Sequence, residues 1–280
     1  MVAHEGERKP PIALLTDFGY RDHYVGVMKG VIASIASAAS VIDLTHGIAP
    51  QAIAAGALVL AQSWRYFPPR TIFVAVVDPG VGTGRRPIAV ETTAGARFIG
   101  PDNGLLSSAV NQAGLGRVVE LKTPRYRLAE VSATFHGRDI FAPAAAHLWC
   151  GVRMVALGPG LRTMTPAPDS PGVKEGRNEL AGSIVYIDGF GNLVTNIDRN
   201  CYERFASRFR GLRLSVRIGR RAPIEILKAY GEARPGSSLA TFGSFEMLEV
   251  AVRDGSAAER FAGAAGAPVV IRAVRRSSNG

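Results

Sequence analysis

Cysteine is scarce in this chain. Cys150 and Cys201 are the only two among 280 residues, and no CxxC spacing joins them. That excludes a disulfide framework and predicts reduced, structural thiols in a cytoplasmic protein. Long apolar runs are missing too: the longest, at residues 52–61, falls well short of the ~18 residues a membrane span needs. The opening MVAHEGERKPP lacks the apolar centre of a signal peptide, so neither export nor a membrane partner is expected. A GxGxxG loop is absent, which leaves dinucleotide binding and the usual methyltransferase glycine loop unsupported. No HExxH or comparable cluster occurs, and the five histidines are dispersed, so no metal site is expected.

Acidic residues are outnumbered, 23 against 33 basic, for a net charge of +10. The excess is mostly scattered arginine, paired only locally at Arg85-Arg86, Arg220-Arg221 and Arg275-Arg276. No basic helix, RNP-like motif or zinc finger accompanies it, so nucleic acid is not expected as a partner. A solubility feature, or a field that draws in anions, is the better reading.

What the chain has is a recurring unit: an apolar strand, then an acid, then glycine. Residues 71–77 form an almost continuous β-branched run, the pattern of a strand buried on both faces of a parallel sheet. The run breaks into Asp78-Pro79-Gly80-Val81-Gly82-Thr83-Gly84, followed by Arg85 and Arg86. A carboxylate and two guanidiniums thus stand past the carboxyl end of a buried strand, where open α/β sheets bind ligands. Similar loops follow residues 12–15 (Thr16-Asp17-Phe18-Gly19) and 41–45 (His46-Gly47). Others occur at Gly100-Pro101-Asp102-Asn103-Gly104 and at Thr134-Phe135-His136-Gly137-Arg138-Asp139. Asp22 is placed to cap a helix carrying Tyr24, Met28, Val31 and Ile35, Pro50 to open the next, and Asp139 to cap an alanine-rich one. His46 reads as a hydrogen-bonded strand-end histidine; His136, before a glycine at a helix entrance, is well placed for chemistry.

These units predict an α/β N-terminal domain with a mainly parallel sheet over residues 11–158. A Pro- and Gly-rich linker follows over 159–178. Short alternating strands then predict a smaller antiparallel, β-barrel-like C-terminal domain over 179–275. Its first hairpin holds Asp188-Gly189-Phe190-Gly191-Asn192, an acid, an aromatic and an amide suited to gripping a flat polar ring.

Taken together and in order, LLTDFG, DLTHGIAP, VDPGVGTGRR, GPDNG, TFHGRDIFAPAAAHL and YIDGFGNLVTNI resemble the S-adenosyl-L-methionine hydroxide adenosyltransferases, relatives of the fluorinase and chlorinase. The likeness covers nearly all of residues 11–275. It implies hydrolysis of S-adenosyl-L-methionine, as substrate rather than cofactor, to adenosine and L-methionine. It also implies a homotrimer with active sites between one subunit's N-terminal domain and its neighbour's C-terminal domain. By that resemblance Asp78, Arg85 and His136 surround the nucleophilic water and Asp17 holds the ribose. Asp188, Phe190 and Asn192 lie on the adenine side. Ser244 and Phe245, in a GSFEMLE segment that departs from the family's NSFGYLE-like pattern, face the methionine moiety. Asp78 stands where the fluorinase has a tyrosine, and Gly137 where it has its halide-contacting serine. A chloride-dependent halogenase and a non-catalytic S-adenosylmethionine or adenosine binder are the alternatives.

Overall fold

The computed structural model describes residues 9–168, 172–209 and 211–274. The opening residues 1–8, linker residues 169–171 and the Arg275-Arg276 pair lie outside it. The chain divides into two compact units after Pro168.

Unit 1 holds a seven-stranded sheet: β1 Ile12–Thr16, β2 Val41–Thr45, β3 Ile72–Val76, β4 Pro87–Thr92, β5 Arg97–Pro101, β6 Leu115–Glu120 and β7 Gly160–Leu161. The spatial order is β2-β1-β3-β5-β4-β6-β7. The pairings β1–β2, β1–β3 and β3–β5 are parallel; β4–β5, β4–β6 and β6–β7 are antiparallel. The sheet is therefore mixed, and the expectation of a mainly parallel sheet holds only for its first half. The cause is the tight turn between β4 and β5: two consecutive strands joined by four residues can only pair antiparallel.

Every residue of β1 and β3 is buried, because helices cover both faces. Helices α1 (Tyr24–Ile35) and α4 (Ala142–Trp149) share one core with Ile12, Leu14, Ile72, Val74 and Val76. Alanines 142, 144, 145 and 146 let α4 approach that core closely. On the other face, α2 (Ile53–Ser63) presents Gly56, where an added methyl would stand 2.8 Å from Leu105; α3 (Ser107–Ala113) completes the set.

Local details depart from expectation. Asp22 does not cap α1, whose N-cap is His23 without a side-chain bond. Pro50 lies in the turn before α2, which starts at Ile53, because Gln51 takes a positive φ of 65° that no helix continues. Asp139 caps nothing: it is fully buried inside a wide π-helical turn, Gly137–Phe141, that leads into α4. The linker's first part is docked. Thr165 N–H donates to Asp102 Oδ1 at 2.7 Å, and the Ser107 hydroxyl donates to Thr165 O at 2.5 Å.

Unit 2 is all antiparallel in its ladders: β8 Lys174–Glu175, β9 Glu179–Ile187, β10 Leu193–Asp198, β11 Arg213–Ile218, β12 Ile224–Glu225, β13 Ser238–Phe242, β14 Met247–Val252 and β15 Pro268–Val274. The order β12-β11-β15-β9-β10-β14-β13, with a bridge from Ile226 to Ala240, makes it a nearly closed barrel. Leu180, Ile184, Leu193, Phe205, Val216, Leu248, Val250 and Ile271 fill its core. Two short helices accompany it, α5 (Arg199–Ser207) and α6 (Ala257–Phe261).

Glu249 sits in that wall almost without exposure, accepting the Tyr230 hydroxyl and lying 2.4 Å from where a side chain on Gly243 would begin. Burial, with help from Asp188, pushes its carboxyl up to about 7. A carboxyl raised in the folded state stabilises the fold below its unfolded value and loses that contribution as pH climbs through about 7. The shift alone is worth about 3 kcal/mol, and screening by nearby solvent lowers the expected effect to ~1–2 kcal/mol. Glu249→Gln therefore unfolds less readily than the parent at about pH 8 and nearly alike at about pH 4.5, where both side chains are neutral. Thermal melts at both pH values check this; parallel pH dependences in the two proteins would count against it.

Candidate active site

Two loops at the carboxyl ends of the parallel strands β1 and β3, and the segment that leads into the π turn before α4, carry the candidate site residues of unit 1. The first follows β3. Its turn is closed by Val81 N–H to Asp78 O (3.2 Å) and by the Thr83 hydroxyl to Gly80 O (2.6 Å). This reversal brings Arg85 back onto Asp78. Arg85 Nε lies 2.9 and 3.0 Å from the two carboxylate oxygens, and Nη2 closes on Oδ2. The side chains are only 9 % and 5 % exposed, so this is a desolvated ion pair, and the Phe141 ring lies 5.4 Å from the guanidinium carbon.

The segment before the π turn carries His136. Its Nδ1 stands 2.7 Å from Arg85 Nη2. An arginine can only donate, so Nδ1 accepts and the imidazole keeps its proton on Nε2. Burial first, then the Arg85 charge, holds His136 below the ordinary imidazole range, which fits the neutral tautomer. The loop is fixed by Asp139, whose Oδ2 accepts Ser132 N–H at 2.8 Å and whose main-chain oxygen accepts Leu128 N–H at 2.9 Å. It is fixed again by Gly82, at φ 75°, whose missing side chain leaves room for Ala133 O at 2.3 Å from the Cβ position. Loops 78–86 and 132–136 thus interlock.

Every other polar hydrogen-bonding edge of the Arg85 side chain is engaged, so Nη1 is a buried donor without a partner among the described residues. A second, half-buried cation, Arg127, also has a buried Nε without a partner among the described residues and lowers His136 electrostatically. Sequence reasoning missed Arg127, since nothing in Pro124-Arg125-Tyr126-Arg127 sets it apart from a surface arginine.

The second loop holds Asp17, after β1. Its Oδ2 accepts Gln51 N–H at 2.8 Å. His46 is almost wholly buried, with Nδ1 2.8 Å from the Thr16 hydroxyl. Asp102 is structural: it pairs with Arg86 through Nε at 2.8 Å and receives Thr165 N–H. Among the described residues no group of three or more His, Cys, Asp or Glu is placed to hold a metal ion, and no helix is long and apolar enough to cross a membrane.

In unit 2, Asp188 organises its own hairpin, accepting Phe190 N–H (2.9 Å), Asn192 N–H (2.8 Å) and the Asn192 amide (2.8 Å). Phe190 is left 82 % exposed at the tip, and Phe245 is also exposed. Leu193 pairs with Val250, and Asp198 with Met247. The 188–192 turn and the 243–246 turn therefore stand at opposite ends of the β10–β14 ladder. Glu249, which abuts Gly243 and is raised by Asp188, lies between the two turns.

Residues 12–158 match the family model described as the SAM hydroxide adenosyltransferase N-terminal domain, and residues 182–270 match that of its C-terminal domain. The chain belongs to the SAM hydroxide adenosyltransferase family. Among SAM hydroxide adenosyltransferase relatives, the (R)-S-adenosyl-L-methionine hydrolase of Thermus thermophilus is 39% identical over 267 residues, covering 92% of this chain and 98% of that protein. A crystal structure of an uncharacterized conserved protein from Thermotoga maritima superposes with a TM-score of 0.86 at 34% identity, covering 93% of this chain and 99% of that one. A fluorinase from an Actinoplanes species is more distant, at 30% identity over 70% of this chain and 74% of its own.

Proposed function

We propose that this chain hydrolyses S-adenosyl-L-methionine to adenosine and L-methionine, by attack of water or hydroxide on ribose C5′. The observation that carries the reading is the convergence of Asp78, Arg85 and His136 in one desolvated cluster. Deprotonating water at neutral pH costs about 12 kcal/mol, and a general base alone supplies about 3–5 kcal/mol. The substrate's sulfonium closes much of the difference, being a good leaving group. Hydroxide meeting a cation also cancels charge, which a dry pocket favours.

In this scheme the Arg85 guanidinium, which can only donate, stabilises the nucleophile by its charge. Asp78 Oδ1, which takes a single hydrogen bond from Arg85 Nε, accepts its proton. His136, with Nδ1 committed to Arg85, offers Nε2–H to the nucleophilic oxygen. The O–C5′ bond forms as the C5′–S bond breaks, and its electron pair leaves on the neutral thioether of methionine. Asp17 holds the ribose hydroxyls through Oδ1. Asp188, Phe190 and Asn192 take the adenine, and Ser244 and Phe245 the methionine end. The exposed Phe190 supports a homotrimer in which one subunit's unit 2 completes its neighbour's unit 1. No resident cofactor enters the scheme.

The R configuration at sulfur in the relatives' name carries over as the expected substrate epimer. Incubation with each epimer in ¹⁸O-labelled water is expected to give adenosine labelled at its 5′ oxygen, faster from the R form. No turnover of either epimer would overturn the hydrolytic reading and leave a binder, and adenosine without the label would overturn attack by solvent water at C5′.

A chloride-dependent halogenase is the second reading, and the distant fluorinase match favours considering it. Gly137 speaks against it. A side chain there would meet Met28 Sδ at 3.1 Å and Phe135 at 3.2 Å, so the site has little room for a halide-contacting hydroxyl.

A further inference from the structure

Behind the Asp17 loop lies a second charged cluster that the reaction scheme leaves unused. His46 Nδ1 is 2.8 Å from the Thr16 hydroxyl, and its Nε2 is 3.2 Å from Asp43 Oδ1, a close contact rather than an aligned hydrogen bond. Asp43 Oδ2 accepts Lys29 Nζ at 2.7 Å and the Tyr20 hydroxyl at 2.9 Å. Nε2 faces the Asp43 carboxylate and carries the proton, so Nδ1 accepts the Thr16 hydroxyl proton, and burial first of all lowers the imidazole. The Thr16 oxygen in turn accepts Phe18 N–H at 3.2 Å.

Acid, imidazole and hydroxyl in sequence have the composition of a nucleophilic triad. Burial rules that out: Thr16 is 0 % and His46 1 % exposed, so no substrate reaches the hydroxyl. What the cluster does is join the ends of two adjacent parallel strands. The β1–β2 register shifts between Leu14 and Leu15, and a shift of this kind next to a site re-aims the residues that follow. Three bonds then tie loop 16–20 to loop 46–51. They are Thr16 to His46 Nδ1, Gly19 N–H to His46 O at 2.8 Å, and Gln51 N–H to Asp17 Oδ2 at 2.8 Å. Gln51 takes its positive φ, unfavourable for a side chain, to deliver that last bond. Asp17 is left with Oδ2 engaged and Oδ1 without a hydrogen-bond partner among the described residues.

We propose that His46 is a positioning residue for nucleoside binding: bridging Thr16 and Asp43, it clamps the two loops so that Asp17 presents Oδ1 to a vicinal diol. The proposal rests on the assignment of Asp17 to the ribose, and a double-mutant cycle on adenosine affinity, read by calorimetry, separates the two. His46→Leu is expected to weaken adenosine roughly tenfold, the scale of losing one well-placed hydrogen bond. His46→Asn, whose amide oxygen can replace Nδ1 as the acceptor for Thr16, is expected to restore most of that. In an Asp17→Ala background, His46→Leu should cause less than about a twofold further change, because residues that act through one another are non-additive. Thr16→Val should reproduce His46→Leu and serves in its place if that variant fails to fold. Additive losses, or no rescue by asparagine, would overturn the clamp while leaving the ribose assignment standing. An unchanged affinity in Asp17→Ala alone would overturn the ribose assignment and the clamp with it.

Discussion

Replacing Arg85 by alanine is expected to lower turnover by about 10³-fold or more while adenosine still binds. Removing one preorganised donor to a developing anion costs about 10²–10³ on its own. Here the same side chain also orients Asp78 through Nε and Nη2 and fixes the His136 tautomer through Nη2, so three groups lose their arrangement at once. The substitution also strands a buried carboxylate, with a destabilisation of about 3–5 kcal/mol. Arg85→Lys keeps the charge and is still expected to lose at least about 10²-fold, since one ammonium cannot reproduce a planar fork that meets a carboxylate, an imidazole and a nucleophile together. Single-turnover rates alongside adenosine calorimetry check both variants. Parent-like turnover in either would remove Arg85 from the reaction.

The second large effect is expected at Gly82, which touches no reacting atom. Alanine there must hold φ 75° and place its methyl 2.3 Å from Ala133 O, so the two loops have to part. The left-handed backbone alone costs about 1–3 kcal/mol. A displacement near 1 Å between Arg85 and His136 is expected to lower the rate by about 10²-fold. Adenosine affinity should change far less, because Asp17 belongs to a different loop. A variant that folds and turns over like the parent would show that the interlock of loops 78–86 and 132–136 does not position the cluster.

The central loop was legible because a fully buried strand running into an acid and three glycines is hard to read otherwise, and Asp78, Arg85 and His136 do meet. Antiparallel β4–β5–β6 was less legible: those strands are as apolar as parallel ones, and β6 opens with three exposed residues before its buried end. His46 reads as a hydrogen-bonded strand-end histidine, and its bond to Thr16 bears that out; its partners, 3 and 30 residues away, leave no local pattern that shows the link between loops. Asp22, Pro50 and Asp139 were misjudged for one reason. Each has the residue type of a helix start, while tertiary bonds, not local propensity, set where those helices begin. Glu249 was invisible, since a strand glutamate looks solvated until the wall around it is built.

The wide turn at Gly137–Phe141 makes residue count part of the chemistry. A π turn holds one residue more than the α-helical turn it replaces. Shortening that stretch by a single position would give a more regular helix and swing His136 by about 100° about the axis, away from the guanidinium. Length at this point is therefore under as much constraint as the identity of Asp78, Arg85 and His136.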